Sequence, residues 1–497
     1  MRDSHPLDLL IGGGTVVDGT GAPRFDADVG VRGGRIVFVG AAGEADAMAG
    51  ASTRRVDARG LIVAPGFIDC HTHDDRALLD SPSMLPKLSQ GVTTVVTGNC
   101  GISLAPTGAG IPRPPAPPLD LLDPTGDWFR FPDFASYTAA LRAAPAAIHT
   151  APLIGHSTLR VACMSRTDRE ATEVEIAAMR TLVDDALAHG AIGCSSGLYY
   201  EPAAAATTDE VIEVFSPMRR HGGVYCAHMR DEGGESIASI EEVVRIGNAL
   251  GVTAVISHHK LAGVPNHGRS RETLAFIDAQ RRTSPLCLDC YPYAASSTIL
   301  SEGRAAFASK VRVTWSIPHP EHNGRDLADI AAEMGTSRAE AIAALVPAGA
   351  IYFAMHEDDV RRILAYEETM IGSDGLPHDA RPHPRLWGTF PRVLGHYSRD
   401  LSLFPLETAV RKMTGLTARN FGLADRGEVR AGAFADLVLF DADDIADVAD
   451  FDDSTRVSRG IASVYVDGVS VWENGGPTGA RPGTVLTRQR PARASAD

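Results

Sequence analysis

His71 and His73 stand one residue apart at the end of the run Ala64-Pro65-Gly66-Phe67-Ile68-Asp69-Cys70, which has the texture of a β-strand. Side chains two apart on a strand point to the same side, so the two imidazoles are set together. Neutral imidazoles suit zinc, and two of them make half of a coordination sphere. A His-x-His alone is weak evidence, but other candidate donors also end apolar runs: Cys100, after Thr97-Gly98-Asn99, then His228, His258 and Asp374. A metal would deprotonate the Cys100 thiol on binding it. The competing assignment, a buried cysteine that only fills space, is the default for Cys70, Cys163, Cys194 and Cys226. Cys287 and Cys290 form a Cys-x-x-Cys inside a predicted strand rather than at a helix start, which favours a space-filling over a redox role.

Eight short apolar runs are spaced along the chain to present such residues, at 61–73, 92–100, 151–156, 191–199, 224–228, 252–258, 286–293 and 369–374. Amphipathic helices are expected among them at 173–189, 209–221, 236–250, 271–282, 358–367 and 406–421. Alternating strand and helix imply a parallel sheet, and eight repeats imply closure into a (β/α)8 TIM-like barrel over 64–424. An open doubly wound sheet is the alternative, but no Gly-rich dinucleotide turn follows the first strand. The interval 297–350 interrupts the repeat and reads as an insertion over the barrel mouth. Short strands and turns at 1–63 and 425–487 read as one small β-sandwich domain assembled from both termini, and the Arg/Pro/Ala-rich tail 488–497 as disordered.

With 497 residues, 44% hydrophobic and 22% charged, the chain has the composition of a globular protein with a large core. Its net charge of −15 argues against nucleic acid and against an anionic membrane surface as partners. A polar N-terminus without a signal peptide, no apolar run near the ~18 residues of a membrane span, and seven scattered cysteines point to a reduced cytoplasmic setting.

Pro65-Gly66-Phe67-Ile68-Asp69-x-His71-x-His73, with single donors following later strands, resembles the amidohydrolase superfamily. Gly98-Asn99-Cys100-Gly101, His228-Met229-Arg230-Asp231-Glu232, Ser257-His258-His259-Lys260, Tyr291-Pro292-Tyr293 and Gly372-Ser373-Asp374-Gly375 are similar to its D-aminoacylase branch, the N-acyl-D-amino-acid deacylases. Hydantoinase-like members of the superfamily carry a carboxylated lysine on the fourth strand, whereas Gly193-Cys194-Ser195-Ser196-Gly197-Leu198-Tyr199-Tyr200 has none. The resemblance implies a tight zinc site at Cys100, His228 and His258. It implies a second, weaker or partly occupied site at His71, His73 and Asp374 that shares Cys100. It also implies that Asp374 is the general base, while His259, next along the strand from a ligand, points away as a structural residue. The implied substrate is a small N-acyl-D-amino acid. Its α-carboxylate would meet Lys260, Tyr291 and Arg385, and Arg304 would read an acidic side chain such as that of D-glutamate, unless Arg304 is a surface residue paired with Glu302.

Amide hydrolysis needs some 8–23 kcal/mol removed from its barrier, and a positioned carboxylate supplies only about 3–5 kcal/mol of that. Zinc fits the remainder, because it acidifies water and polarises a carbonyl; Asp374 would then take the proton of the attacking water and pass it to the leaving amine. A dipeptidase or cyclic-amide hydrolase of the same superfamily, and more remotely a catalytically inactive scaffold barrel, are the competing assignments.

Overall fold

Eight short runs, nearly all of whose residues are buried, line up side by side in chain order: β1 (Phe67–Asp69), β2 (Val92–Thr97), β3 (His149–Gly155), β4 (Gly193–Gly197), β5 (Val224–His228), β6 (Thr253–Ile256), β7 (Leu286–Cys290) and β8 (Thr369–Ile371). Every neighbouring pair is parallel. This is a computed structural model, and it describes residues 5–488. The tail read as disordered lies outside the described residues except for Arg488, whose guanidinium donates to the Gly223 carbonyl.

Parallel strands need crossovers, and helices such as Glu173–Ala188, Ser236–Leu250 and Ser270–Arg281 provide them and cover the outer face. Alternation along each strand divides the core in two. Ile68, Val96, Leu153, Cys226, Val255, Cys287 and Met370 form one cluster inside the ring, closed below by Leu416, Phe421 and Leu423. Phe67, Val95, Ile154, Tyr225, Ile256, Leu288 and Ile371 turn outward to the helices. Cys287 and Cys290 fall into different clusters, which suits a space-filling role for each.

The ring is not closed by a full ladder. Among the described residues β8 and β1 share no strand pairing; an isolated bridge between Thr72 and Gly375, and the Asp374 amide donating to the His71 carbonyl at 2.8 Å, join them at the rim.

Both chain ends contribute to a nine-stranded sheet, in which Ile62–Pro65 lies between Leu9–Val16 and Leu437–Phe440. The single strand expected over 61–73 is therefore two strands in two sheets. Gly66 is the hinge: its amide donates to the Asp436 carbonyl at 2.8 Å, and a β-carbon there would lie 2.2 Å from Thr93 Cγ2. Gly66→Ala is expected to destabilise the protein by about 1–3 kcal/mol, because the buried Thr93 has nowhere to move. Denaturant midpoints test this, and Thr93→Ala in the same chain should recover part of the loss; equal midpoints for Gly66→Ala and the parent would show slack at the junction.

Two expected helices are also broken. The helix over 209–221 becomes Thr208–Val214 and Met218–His221, with Pro217 at the break. The helix over 406–421 becomes Leu406–Met413 and Gly415–Phe421, where a β-carbon on Gly415 would lie 2.4 Å from the Gly19 carbonyl oxygen. The interruption before β8 carries its own antiparallel sheet of Ser296–Ile299, Lys310–Ser316 and Ala348–Phe353, with a separate core around Leu300, Val313, Ile330 and Ile342. No helix among the described residues is long and apolar enough to cross a membrane.

Candidate metal centre and substrate pocket

Three of the six expected donors sit in left-handed backbone that side-chain-bearing residues seldom adopt: Cys100 (φ 53°), His258 (φ 37°) and Asp374 (φ 50°). Each follows the carboxyl end of a barrel strand, so the chain turns sharply and directs the side chain over the rim. Such strain persists only where the surroundings enforce it, and it concentrates at functional sites. Glycines make the turn at Cys100 possible: Gly98 (φ 76°) and Gly101 (φ 77°) flank it, and a β-carbon on Gly98 would lie 2.2 Å from the Leu153 carbonyl oxygen.

All six donors are buried and converge. Cys100 Sγ lies 3.2 Å from His71 Nε2 and 3.3 Å from His258 Nε2. Asp374 Oδ1 lies 3.2 Å from His73 Nε2 and 3.6 Å from His71 Nε2. The rings of His228 and His258 meet edge to face at 4.5 Å. Donor atoms of His71, His73, Cys100 and Asp374 all fall within 4.8 Å of one another, as do those of Cys100, His228 and His258. Cys100 belongs to both groups. A thiolate, imidazoles and a carboxylate at this spacing fit a zinc ion by chemistry and by reach. Burial pushes the Cys100 thiol up, but the imidazoles of His71 and His258 outweigh it and hold the group well below the ordinary thiol range. Burial brings His228 down to about 4, so its ring is neutral at physiological pH, as a ligand must be. Burial raises the Asp374 carboxyl, yet Arg385 and His73 reverse this and keep it ionised.

The expected carboxylate-binding residues surround this centre. Arg385, fully buried, donates from Nη2 to Asp374 Oδ2 at 2.9 Å and to the Ser297 carbonyl at 3.0 Å. Its Nε and Nη1, together with Tyr291 Oη, are buried donors with no partner. The Arg385 guanidinium lies 4.5 Å over the Tyr291 ring. Lys260 Nζ lies 2.7 Å from His258 Nδ1. Arg304 does not pair with Glu302: its guanidinium stacks 3.9 Å from the Tyr199 ring, with Nη1 3.8 Å from Glu232 Oε2 and Nη2 3.4 Å from His228 Nε2. His259 turns outward to Thr273 Oγ1 at 2.9 Å.

Two residues without a role in the sequence reading are prominent. Glu232 forms a short contact with Lys260 Nζ and approaches His258 Nδ1 at 3.2 Å, so one carboxylate faces Lys260, Arg304 and a candidate ligand. Asp289 Oδ1 accepts the His258 amide at 2.9 Å and faces His71 Nδ1 at 3.5 Å, directing Nε2 of that ring toward Cys100. Glu232 ends the run His228-Met229-Arg230-Asp231-Glu232, whereas Asp289 lies between Cys287 and Cys290 with no local pattern to mark it. A larger cleft of about 630 Å³ elsewhere contains none of these residues; its Arg426 and Arg430 already pair with Asp436, Asp425 and Glu428.

A parallel eight-stranded barrel with imidazoles, a thiolate and a carboxylate gathered at its carboxyl-end rim defines a metal-binding hydrolase of the barrel type. Comparison with known proteins narrows the class. Residues 54–267 and 317–472 match the amidohydrolase family model, and the chain belongs to that family. It is 58% identical over 488 residues to D-aminoacylase from Alcaligenes xylosoxydans xylosoxydans, spanning 98% of this chain and 99% of that one. It is 48% identical to N-acyl-D-glutamate deacylase from the same organism, across 97% of both chains. A solved structure of N-acyl-D-glutamate deacylase from Bordetella bronchiseptica, complexed with zinc and a phosphonate inhibitor that mimics the tetrahedral intermediate, superposes with a TM-score of 0.92 at 47% identity, covering 97% of this chain and 100% of that one.

Proposed function

We propose that this protein hydrolyses the amide bond of N-acyl-D-amino acids, releasing a carboxylate and a free D-amino acid. The observation that carries the reading is the set of buried, unpartnered donors beside the candidate centre: Arg385 Nε and Nη1 and Tyr291 Oη, with the Lys260 ammonium close by. Buried donors without partners are costly, and a bound carboxylate satisfies them. Sequence kinship with D-aminoacylase and N-acyl-D-glutamate deacylase supports the same substrate class.

Cys100, His228 and His258 would hold one zinc ion tightly, and His71, His73 and Asp374 a weaker second one beside the shared Cys100. When bound, zinc supplies hydroxide at neutral pH and polarises the acyl carbonyl. Asp374 accepts the proton of the attacking water at a carboxylate oxygen. Water's oxygen then bonds to the acyl carbon, the C–N bond breaks, and Asp374 returns the proton to the departing nitrogen. Arg385 keeps the carboxylate ionised between turnovers and, with Tyr291 and Lys260, holds the α-carboxylate so that the scissile carbonyl faces Asp374. The seven free cysteines suit a reducing cytoplasm.

Arg304 supports a preference for acidic side chains, since its buried guanidinium lines the same cavity as Cys100, His258 and Asp374. A panel of N-acetyl D- and L-amino acids (glutamate, aspartate, leucine, methionine) tests both levels. Turnover should be confined to D-isomers, cease with chelator and return with zinc. Arg304→Ala should lower kcat/KM for N-acetyl-D-glutamate about 10- to 100-fold relative to N-acetyl-D-leucine, the worth of a hydrogen bond to a charged group. An unchanged ratio removes the acidic preference, and turnover of L-isomers alone removes the substrate class.

A further inference from the structure

We infer that Lys87 is a positioning residue that closes the barrel seam and thereby sets the distance between Asp374 and the two histidines of the first strand. This rests on the reading of Asp374 as the proton acceptor. The two lips of the seam are the ends of β1 and β8, which the ladder leaves unpaired. One lip continues into His71 and His73, and the other into Asp374.

Lys87, on the short helix Leu85–Leu88, reaches both lips and is fully buried. Its Nζ lies 2.8 Å from Asp69 Oδ2 and 3.2 Å from Asp74 Oδ2 on the first lip, and 2.9 Å from Ser373 Oγ on the second. Asp69 is two residues before His71, Asp74 follows His73, and Ser373 precedes Asp374. Asp69 Oδ1 also crosses the gap to accept the Ser373 amide at 2.8 Å. Three residues further along, Gln90 binds the helix Arg385–Arg392 that follows the second lip: its Nε2 donates to the Leu386 carbonyl at 2.8 Å, and its Oε1 accepts the Phe390 amide at 3.2 Å. One segment, 85–90, therefore grips the strand end before Asp374 and the helix that carries Arg385.

Charge explains why lysine serves here. An ammonium in a dry site donates to the Asp69 carboxylate and the Ser373 hydroxyl and offsets the charge of Asp74 at 3.2 Å, and each of those groups would be costly to bury alone. Unlike a ladder of backbone bonds, the lock sits at the height of the rim, where a misplacement of about 1 Å costs up to about 100-fold in rate.

Two variants separate positioning from mere support. Ser373→Ala removes only the hydroxyl on the second lip. Lys87→Met combined with Asp69→Asn removes the ammonium and one carboxylate together, so the cluster's net charge is unchanged and the amide oxygen still accepts from Ser373. Each is studied as the full chain by cobalt(II) titration of the metal-free protein and by steady-state kinetics on the best N-acetyl-D-amino acid. Positioning predicts that the first cobalt equivalent binds as in the parent and the second binds at least roughly 10-fold more weakly. It also predicts kcat down about 10-fold in Ser373→Ala and about 100-fold in the double variant, with KM within about twofold. A lower melting temperature with an unchanged isotherm and kcat overturns the inference. Should the double variant not fold, Ser373→Ala decides alone. Should the parent hydrolyse no N-acyl-D-amino acid, the cobalt isotherm still decides this inference, and only the proposed substrate class falls.

Discussion

Asp374→Ala is expected to lower kcat about 10⁴-fold while the first equivalent of metal remains bound, because in the proposed mechanism one carboxylate performs both proton transfers. No neighbour can replace it. Glu232 is the next carboxylate in the pocket, and it is already held by Lys260, His258 and Arg304. Asp289 is fixed below the rim by the His258 amide. Asp374→Asn should behave alike, since it keeps the shape and the contact to Arg385 but cannot take a proton. Comparing the two also separates charge from packing, because Ala leaves the Arg385 guanidinium buried without its 2.9 Å partner whereas Asn does not. Steady-state rates with metal analysis of the same samples decide the matter. Turnover within tenfold of the parent in either variant would remove Asp374 as the proton carrier.

The residues that converge at the rim were legible in the sequence for a physical reason. In a parallel barrel the chemistry collects at strand ends, so polar residues closing apolar runs announce themselves, as His71, His73, Cys100, His228, His258 and Asp374 do. The barrel was legible in the same pattern. What escaped depends on partners remote in sequence. Lys87 meets Ser373 across 286 positions and His258 meets Asp289 across 31, and neither residue has a local pattern that foretells its mate. Periodicity likewise carries the strand through 61–73 without a break, because only Gly66 divides two strands that are each wholly buried. The helix breaks at Pro217 and before Gly415 follow the same rule. One comes from a proline, whose effect is local, and the other from a loop at Gly19 almost 400 residues away.

Cys100→Ser should have the opposite signature to Asp374→Ala: activity and tight metal binding are lost together. Among the described residues Cys100 is the donor common to both groups, so its removal should weaken each. Serine keeps the volume within about one atom's radius but stays a neutral hydroxyl, whereas the sulfur is a thiolate when it binds a metal. The surrounding charges are arranged for that anion: His71 and His258 stand 3.2 and 3.3 Å from Sγ and hold the thiol well below its ordinary range against the effect of burial. Metal retained after dialysis should fall at least about 10-fold, by comparison with the loss expected from disturbing even a supporting group of a metal site. A second readout follows by mass action. Metal at about 100 times its dissociation constant stabilises the folded parent by about 2.7 kcal/mol, so zinc should raise the parent's melting temperature and leave that of Cys100→Ser nearly unmoved. A Cys100→Ser protein that keeps stoichiometric metal through dialysis and shows the full zinc-dependent rise would mean that the imidazoles and Asp374 hold the ion without the sulfur, and the shared-thiolate centre would have to be abandoned.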